Sequence, residues 1–195
     1  MSKKNKKKIL KRTILVANVL LVSISAGYTA YQLRQNNLQM IDLYNKVLEA
    51  DKSGQSVYER LGELQSYVAN HMNATPPKLG SNPGIQLVNT YERDKKAEED
   101  RVTAERDRIN NEAIAYCEAA MPNSLLSQRA QCIIDRNASQ TVTEKQIIPD
   151  LYRYDFVSPI WTTDLAGWLV LITGVLVLLL LIQIISRVIR VFFRI

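Results

Sequence analysis

The chain has 195 residues, with 25 Lys+Arg, 19 Asp+Glu, two cysteines and one histidine. Residues 1–12 carry seven positive charges, 187–195 carry three, and 34–164 hold all 19 acids with the other 15 basic residues, a net charge of −4. The overall +6 therefore belongs to two short tails, which argues against a nucleic-acid footprint on the large middle segment. One histidine leaves little room for a His-based metal site or a catalytic triad.

In chain order, residues 1–12 read as a basic tail, 13–33 as a first transmembrane helix, 34–164 as an extracytoplasmic helical domain, 165–186 as a second transmembrane helix and 187–195 as a second basic tail. The two uncharged segments are 21 and 22 residues long, enough to cross a bilayer core of ~30 Å at ~1.5 Å per residue. Lys/Arg excess marks the cytoplasmic flank of a span. Lys3, Lys4, Lys6, Lys7, Lys8, Lys11 and Arg12 precede the first, and Arg187, Arg190 and Arg194 follow the second. Both tails therefore read as cytoplasmic and residues 34–164 as external, in a multi-pass cell-membrane protein.

A basic start, an apolar stretch and Ser25-Ala26-Gly27 also fit a cleaved signal peptide. Tyr28, Thr29, Ala30, Tyr31 and Leu33 extend the uncharged stretch beyond an ordinary signal core, so an uncleaved signal-anchor is expected. Ser23/Gly27 and Ala26/Ala30 are small-xxx-small pairs. They suit a packing face toward the other span or a second subunit, and such pairs also arise by chance.

From Met40 the apolar or small residues alternate at three and four: Met40, Leu43, Val47, Ala50, Gly54, Val57, Leu61, Leu64 and Val68. This is a coiled-coil-like packing seam. The spacing predicts one long helix from the first span to about Met72, with a break at 51–56, capped by Asp51 or Ser53, as the alternative. Asn73 to Gly84 reads as a plain loop. A second long helix runs from about Ile85 to Met121, before Pro122. Its stretch from Glu92 to Arg108 has 13 charged residues in 17. Glu92/Lys96, Lys95/Glu99, Lys96/Asp100 and Arg101/Glu105 are expected as ion pairs on a solvated face.

The arms 34–72 and 85–121 would be ~58 and ~55 Å long. They predict an antiparallel helical hairpin returning to the membrane, with Val102 opposite Gly54, Ile109 opposite Val47 and Tyr116 opposite Met40. So thin a seam implies a homo-oligomer or a membrane-protein partner. Cys117 and Cys132 flank Met121-Pro122-Asn123-Ser124 and predict a disulfide between two short antiparallel helices, the default for a lone pair outside the cytoplasm. The second helix is expected over about 125–137, with Leu126, Ala130, Ile133 and Ile134 as its apolar face. Tyr152, Tyr154, Phe156 and Trp161, with Trp168 beyond them, form an aromatic collar. It suits an interfacial belt on lipid or, alternatively, a recognition surface. The fold class is thus an all-α membrane protein: two transmembrane helices, an external helical hairpin and a short disulfide-linked helix.

Asp51-Lys52-x-Gly54, Leu61-x-x-Leu64-x-x-Tyr67-Val68-x-x-His71-Met72-Asn73, Tyr91-Glu92-Arg93, Tyr116-Cys117, Asp155-Phe156-Val157-Ser158-Pro159 and Asp164-Leu165-Ala166-Gly167-Trp168 resemble a group of uncharacterised two-span membrane proteins of small-genome, candidate-phyla-type bacteria. The resemblance covers about residues 40–175. It implies a bacterial cell membrane and assigns no activity.

There is no Gly-rich phosphate loop, no H-E-x-x-H and no nucleophile elbow. His71, placed near the hairpin tip, reads as a surface or partly buried histidine. Asn73-Ala74-Thr75 and Asn137-Ala138-Ser139 match the glycosylation pattern, which short sequences meet by chance. No enzyme activity, cofactor, metal or small-molecule substrate is expected. The expected function is a membrane-anchored structural or scaffold protein with an external helical stalk. The alternative is an accessory or sensing subunit of a membrane complex.

Overall fold

The computed structural model describes residues 3–192, with side chains from Leu10 onward except that of Val191. Arg194 and the side chains of Lys3, Lys4, Lys6, Lys7 and Lys8 lie outside the described residues. The elements are α1 (Lys3–Ser53), α2 (Val57–Asn70), β1 (Lys78–Leu79), β2 (Asn82–Gln86), α3 (Val88–Ala120), α4 (Leu126–Ala138), a 3-10 turn (Pro149–Tyr152), β3 (Arg153–Asp155) and α5 (Leu165–Phe192). The chain divides into two compact units, Met1–Ile85 with Tyr154–Ile195, and Gln86–Arg153.

In the first unit α1 and α5 are each long and apolar enough to cross a membrane. They pack side by side with opposed directions. Ser25 meets Thr173, Asn36 meets Asp164, and Arg187 donates to the Lys11 carbonyl. The α1 residues withdrawn from the surface along this stretch include Leu15, Asn18, Val22, Ser25, Thr29, Leu33 and Asn36. Those of α5 include Leu169, Thr173, Leu176, Leu180, Gln183 and Arg187. Both sets recur every three or four residues, the repeat by which one side of a helix follows a neighbour. The rest of the span surface is apolar and open: Ile24 is 70% exposed and Leu178 58%.

Beyond Asn36 the same stripe of α1 continues as Met40, Leu43, Val47 and Ala50. Its neighbour is now α2, which buries Val57, Leu61, Leu64 and Val68. Each such side chain contributes roughly 1.5–3 kcal/mol when fully buried. The seam residues are thus buried, with Leu43 half-buried, except Gly54, which is exposed.

The expectation of one helix through 51–56 is corrected: the chain reverses there. Gly54 and Ser56 have φ of 77° and 51°. Gly54 N–H donates to the Ala50 carbonyl at 2.8 Å, closing α1 with a left-handed residue that costs glycine little. Neither Asp51 nor Ser53 caps α2; Ser56 holds the cap position and makes no side-chain cap bond. The 3/4 spacing survives the turn because two helices folded on each other carry matching stripes. Periodicity therefore does not register the change of direction. The 34–72 arm does not exist as one helix, and the equal-length pairing of Val102 with Gly54, Ile109 with Val47 and Tyr116 with Met40 loses its premise.

Residues 73–84 are not a plain loop, and the fold is not purely helical. β1 and β2 pair antiparallel, Leu79 opposite Asn82, in a three-stranded sheet ordered β1-β2-β3. Gly80 has φ of 71° in the two-residue connection, as tight hairpin turns require.

In the second unit α3 buries Thr90, Val102, Ile109, Ala113 and Cys117. Cys117 and Cys132 form a disulfide, which ties α3 to α4. The apolar face expected on α4 is not buried: Leu126 is 83% exposed and Ile134 58%. Among the expected ion pairs, Lys95–Glu99 forms at 3.9 Å, whereas Arg101 turns to Glu98 at 2.7 Å instead of Glu105. Glu105 pairs with Arg108.

Candidate functional site

A set of long-range polar contacts in the first unit lies where α1 exchanges α5 for α2. Asn36 sits on the buried stripe of α1. Its amide nitrogen donates to Asp164 Oδ2 at 2.7 Å and to the Met72 carbonyl at 3.0 Å. Both amide hydrogens are therefore used, one on the start of α5 and one on the end of α2. Two neighbouring amides brace the same place: Asn73 Nδ2 donates to the Leu33 carbonyl at 3.0 Å, and Asn37 Nδ2 to the Asn73 carbonyl at 3.4 Å.

Asp164 precedes α5 and accepts at Oδ1 from the Thr162 hydroxyl at 2.6 Å and the Gly167 N–H at 2.9 Å. This is N-terminal capping, which supplies a helix amide with a partner and places negative charge at the positive end of the helix. Glycine is required at 167, since a Cβ there would lie 1.9 Å from the Thr162 carbonyl oxygen. Burial pushes the Asp164 carboxyl up. The hydrogen bonds from Thr162, Gly167 and Asn36, with the nearby His71, outweigh burial and hold it below the usual aspartate value. The carboxylate is an engaged acceptor, suited to joining elements and not to shuttling protons.

His71 follows α2 and stacks on Tyr67, ring centroids 3.9 Å apart. Its Nδ1 lies 3.0 Å from the Tyr67 carbonyl, which only accepts, so Nδ1 carries the hydrogen. Burial raises the Tyr67 hydroxyl, and the charge of Asp164 adds to the effect. His71 is therefore not at a hairpin tip. The tip is Gly54–Ser56, and His71 stands at the opposite end of α2.

A second group lies between the spans. Ser25 and Thr29 reach Thr173 through hydroxyl contacts of 2.6 and 2.9 Å, and Thr29 also donates to the Ser25 carbonyl at 2.8 Å. Asn18 is 8% exposed and its amide nitrogen has no partner among the described residues. The small-residue pairs Ser23/Gly27 and Ala26/Ala30 do not face α5: all four are exposed, and a Cβ on Gly27 would meet open space.

The five collar residues divide between the units, Tyr152 in the second and Tyr154, Phe156, Trp161 and Trp168 in the first. Tyr152 packs edge-on against Tyr91 and donates to Asp94 at 2.7 Å in the second unit. Tyr154 lies in β3 and Phe156 is buried. Trp161 and Trp168 remain together, 6.0 Å apart and edge-on, with Trp161 Nε1 donating to the Gly167 carbonyl at 3.2 Å. Val157 and Ile160 beside them are 88% and 95% exposed.

The disulfide is accompanied by the Arg136 guanidinium 3.8 Å over the Tyr116 ring. Glu98 ties the 140–148 segment to α3, accepting from Lys145 N–H at 2.7 Å while Arg101 donates to the Thr143 carbonyl. The bond from Arg101 and that from Lys145 N–H pull the Glu98 carboxyl down to about 2. In both glycosylation-like motifs the asparagine amide is engaged, Asn73 as above and Asn137 to Asn110 at 2.9 Å.

Sequence reasoning did not single out Asn36, Asp164 and Thr173 as contacts. The apolar 3/4 spacing begins only at Met40. Inside an uncharged span the informative residues are the polar ones, and Asn18, Ser25, Thr29 and Asn36 already kept the same phase. Among the described residues no group of three His, Cys, Asp or Glu is placed to hold a metal ion. No protein-family model matches the chain, and no curated protein or solved structure is significantly similar to it.

Proposed function

We propose that this is a two-span membrane protein that acts as an anchored scaffold, with both tails in the cytoplasm and residues 34–164 presented outside. One observation carries the reading: α1 runs without interruption from the apolar span into the outer segment, with one buried stripe along it. Such a helix holds whatever packs on its outer part at a set height and rotation. The basic flanks of both spans support the orientation. The open apolar surface of α4 supports a partner outside, a second copy or another membrane protein. No catalytic role, cofactor or nucleic acid belongs to this reading.

A second reading, an accessory or sensing subunit of a membrane complex, draws on the same continuity, because a displacement of the outer part of α1 reaches the span directly. Reporter fusions at residues 2 and 195 test the orientation, both being expected inside. A C-terminal reporter found outside, or a mature chain beginning near Tyr28, overturns it. Mass measurement after mild-detergent extraction separates the two roles. A homo-oligomer alone fits the scaffold, and a stoichiometric signalling or transport protein fits the accessory subunit.

A further inference from the structure

The end of the α1–α5 pair that carries the basic tails contains a cleft of about 210 Å³. Lys11, Arg187 and Arg190 line it together with Ile14, Ile182, Gln183 and Ser186. Three cations thus converge where, among the described residues, no Asp or Glu side chain neutralises them. The first acidic side chain is Asp42 and the last is Asp164, so neither Asp nor Glu occurs in either terminal stretch. Arg187 is fixed by donating to the Lys11 carbonyl, which ties the start of α1 to the end of α5. Arg190 is steadied through its Nε on the Ser186 carbonyl at 2.9 Å. Its two terminal amino groups have no partner among the described residues. A guanidinium presented in this way is a fork for the paired oxygens of a phosphate. The side chains of Gln183 and Ser186 add neutral donors.

We infer that this cleft binds the phosphate of an anionic phospholipid. The phosphate meets Lys11, Arg187 and Arg190, and an acyl chain lies along Ile14 and Ile182, which are 48% and 52% exposed. Basic cavities between membrane helices on the cytoplasmic side are suited to such headgroups. The apolar wall selects a lipid over a free phosphate, which has no use for it. The inference rests on the membrane reading of α1 and α5.

The test is native mass spectrometry of the full-length chain in mild detergent. Phosphatidylglycerol and phosphatidylcholine of matched acyl chains are titrated in, and inorganic phosphate is tried as a competitor. Lys11→Gln/Arg190→Gln leaves the Arg187 bond to the Lys11 backbone in place. It should weaken phosphatidylglycerol binding by about thirtyfold, the worth of two basic residues at an anionic lipid surface. Phosphatidylcholine binding should not change. Lys4→Gln/Lys7→Gln removes the same charge from the tail and should have little effect. Equal weakening by the tail variant overturns the proposal, as does equal affinity for the two lipids or displacement of the lipid by inorganic phosphate. The wild-type lipid preference needs no substitution and stays decisive if a variant misfolds. Release of the wild-type chain from membranes by alkaline carbonate would instead sink the membrane reading. A chain that stays in the membrane without lipid preference sinks only this inference.

Discussion

The two halves of α1 use one stripe in opposite chemical senses. Between Leu15 and Asn36 the stripe sets Asn18, Ser25, Thr29 and Asn36 among Leu15, Val22 and Leu33, and the other apolar residues point away from the protein. Between Met40 and Ala50 it is mainly apolar and the polar residues point away. Helix geometry is the same in both, with contacts every three or four residues, so on the proposed membrane reading the difference comes from the surroundings. In water, burying apolar surface drives packing. In lipid there is no such gain, because the tails are as apolar as leucine, and close fit with hydrogen bonds remains. Packing partners thus follow from the stripe, and on that reading its chemical character follows from the medium.

The largest expected effect breaks the outer half alone. Leu61→Asp/Leu64→Asp sets charge into a seam where both leucines are almost fully buried. An unpaired buried charge costs several kcal/mol, so α2 should detach. Hydrogen exchange along 57–70 should rise sharply, while a disulfide engineered between the spans still forms. Unchanged exchange and an unchanged thermal midpoint would mean the seam is not a packing surface.

A covalent joint sets the scale for these contacts. Reducing Cys117–Cys132, which are 15 residues apart, should cost about 3 kcal/mol on a chain-entropy account. Thermal unfolding with and without reductant measures it. Free alkylation of both thiols in protein from its native compartment would contradict the bridge.

The handover between the halves should respond next. Asp164→Asn keeps the shape but removes the charge that three donors serve. A loss of about 1–2 kcal/mol is expected, the low side for bonds to a charged group because the carboxylate is partly exposed. Asp164 is held below its usual value, so its contribution is present at neutral pH. It fades as pH falls below the ordinary aspartate range and through the lowered value in the folded chain. The wild type should therefore lose stability on acidification more than Asp164→Asn does. Parallel pH profiles would remove the joint from the account.

The smallest effect lies inside the span. Ser25→Ala with Thr173→Val deletes the hydroxyl contacts and should cost about 0.6 kcal/mol, the average for interhelical hydrogen bonds in membranes. A double-mutant cycle read by steric trapping or detergent unfolding would measure it. A loss as large as that of the leucine double variant would erase the distinction between the halves.

Much of the fold was legible because some signals are local. The uncharged lengths marked α1 and α5, the 3/4 spacing named the buried residues of α1 and α2, and the cysteine pair around Pro122 marked the α3–α4 clamp. Direction was not legible. Gly54 lay within the periodic run and looked like a tolerated helix glycine, yet its positive φ reverses the chain. The β1–β2 hairpin was hidden for a similar reason, since Gly80-Ser81 reads equally as loop and as tight turn. The junction was hidden because Asn36 and Asp164 lie 128 positions apart, and a polar residue carries no mark of its partner.

Asn36 also sets a rule of phase for the whole helix. One inserted residue advances the stripe by about 100°, and seven restore it almost fully. An insertion of one, two or five residues between Thr29 and Met40 would leave each half able to meet its own neighbour, but never both from the same rotation of the rod. Length changes in this part of α1 are therefore admissible only in steps near a whole number of turns, such as about seven or eleven residues. The two halves of α1 are thus geared to each other at the junction that Asn36 holds.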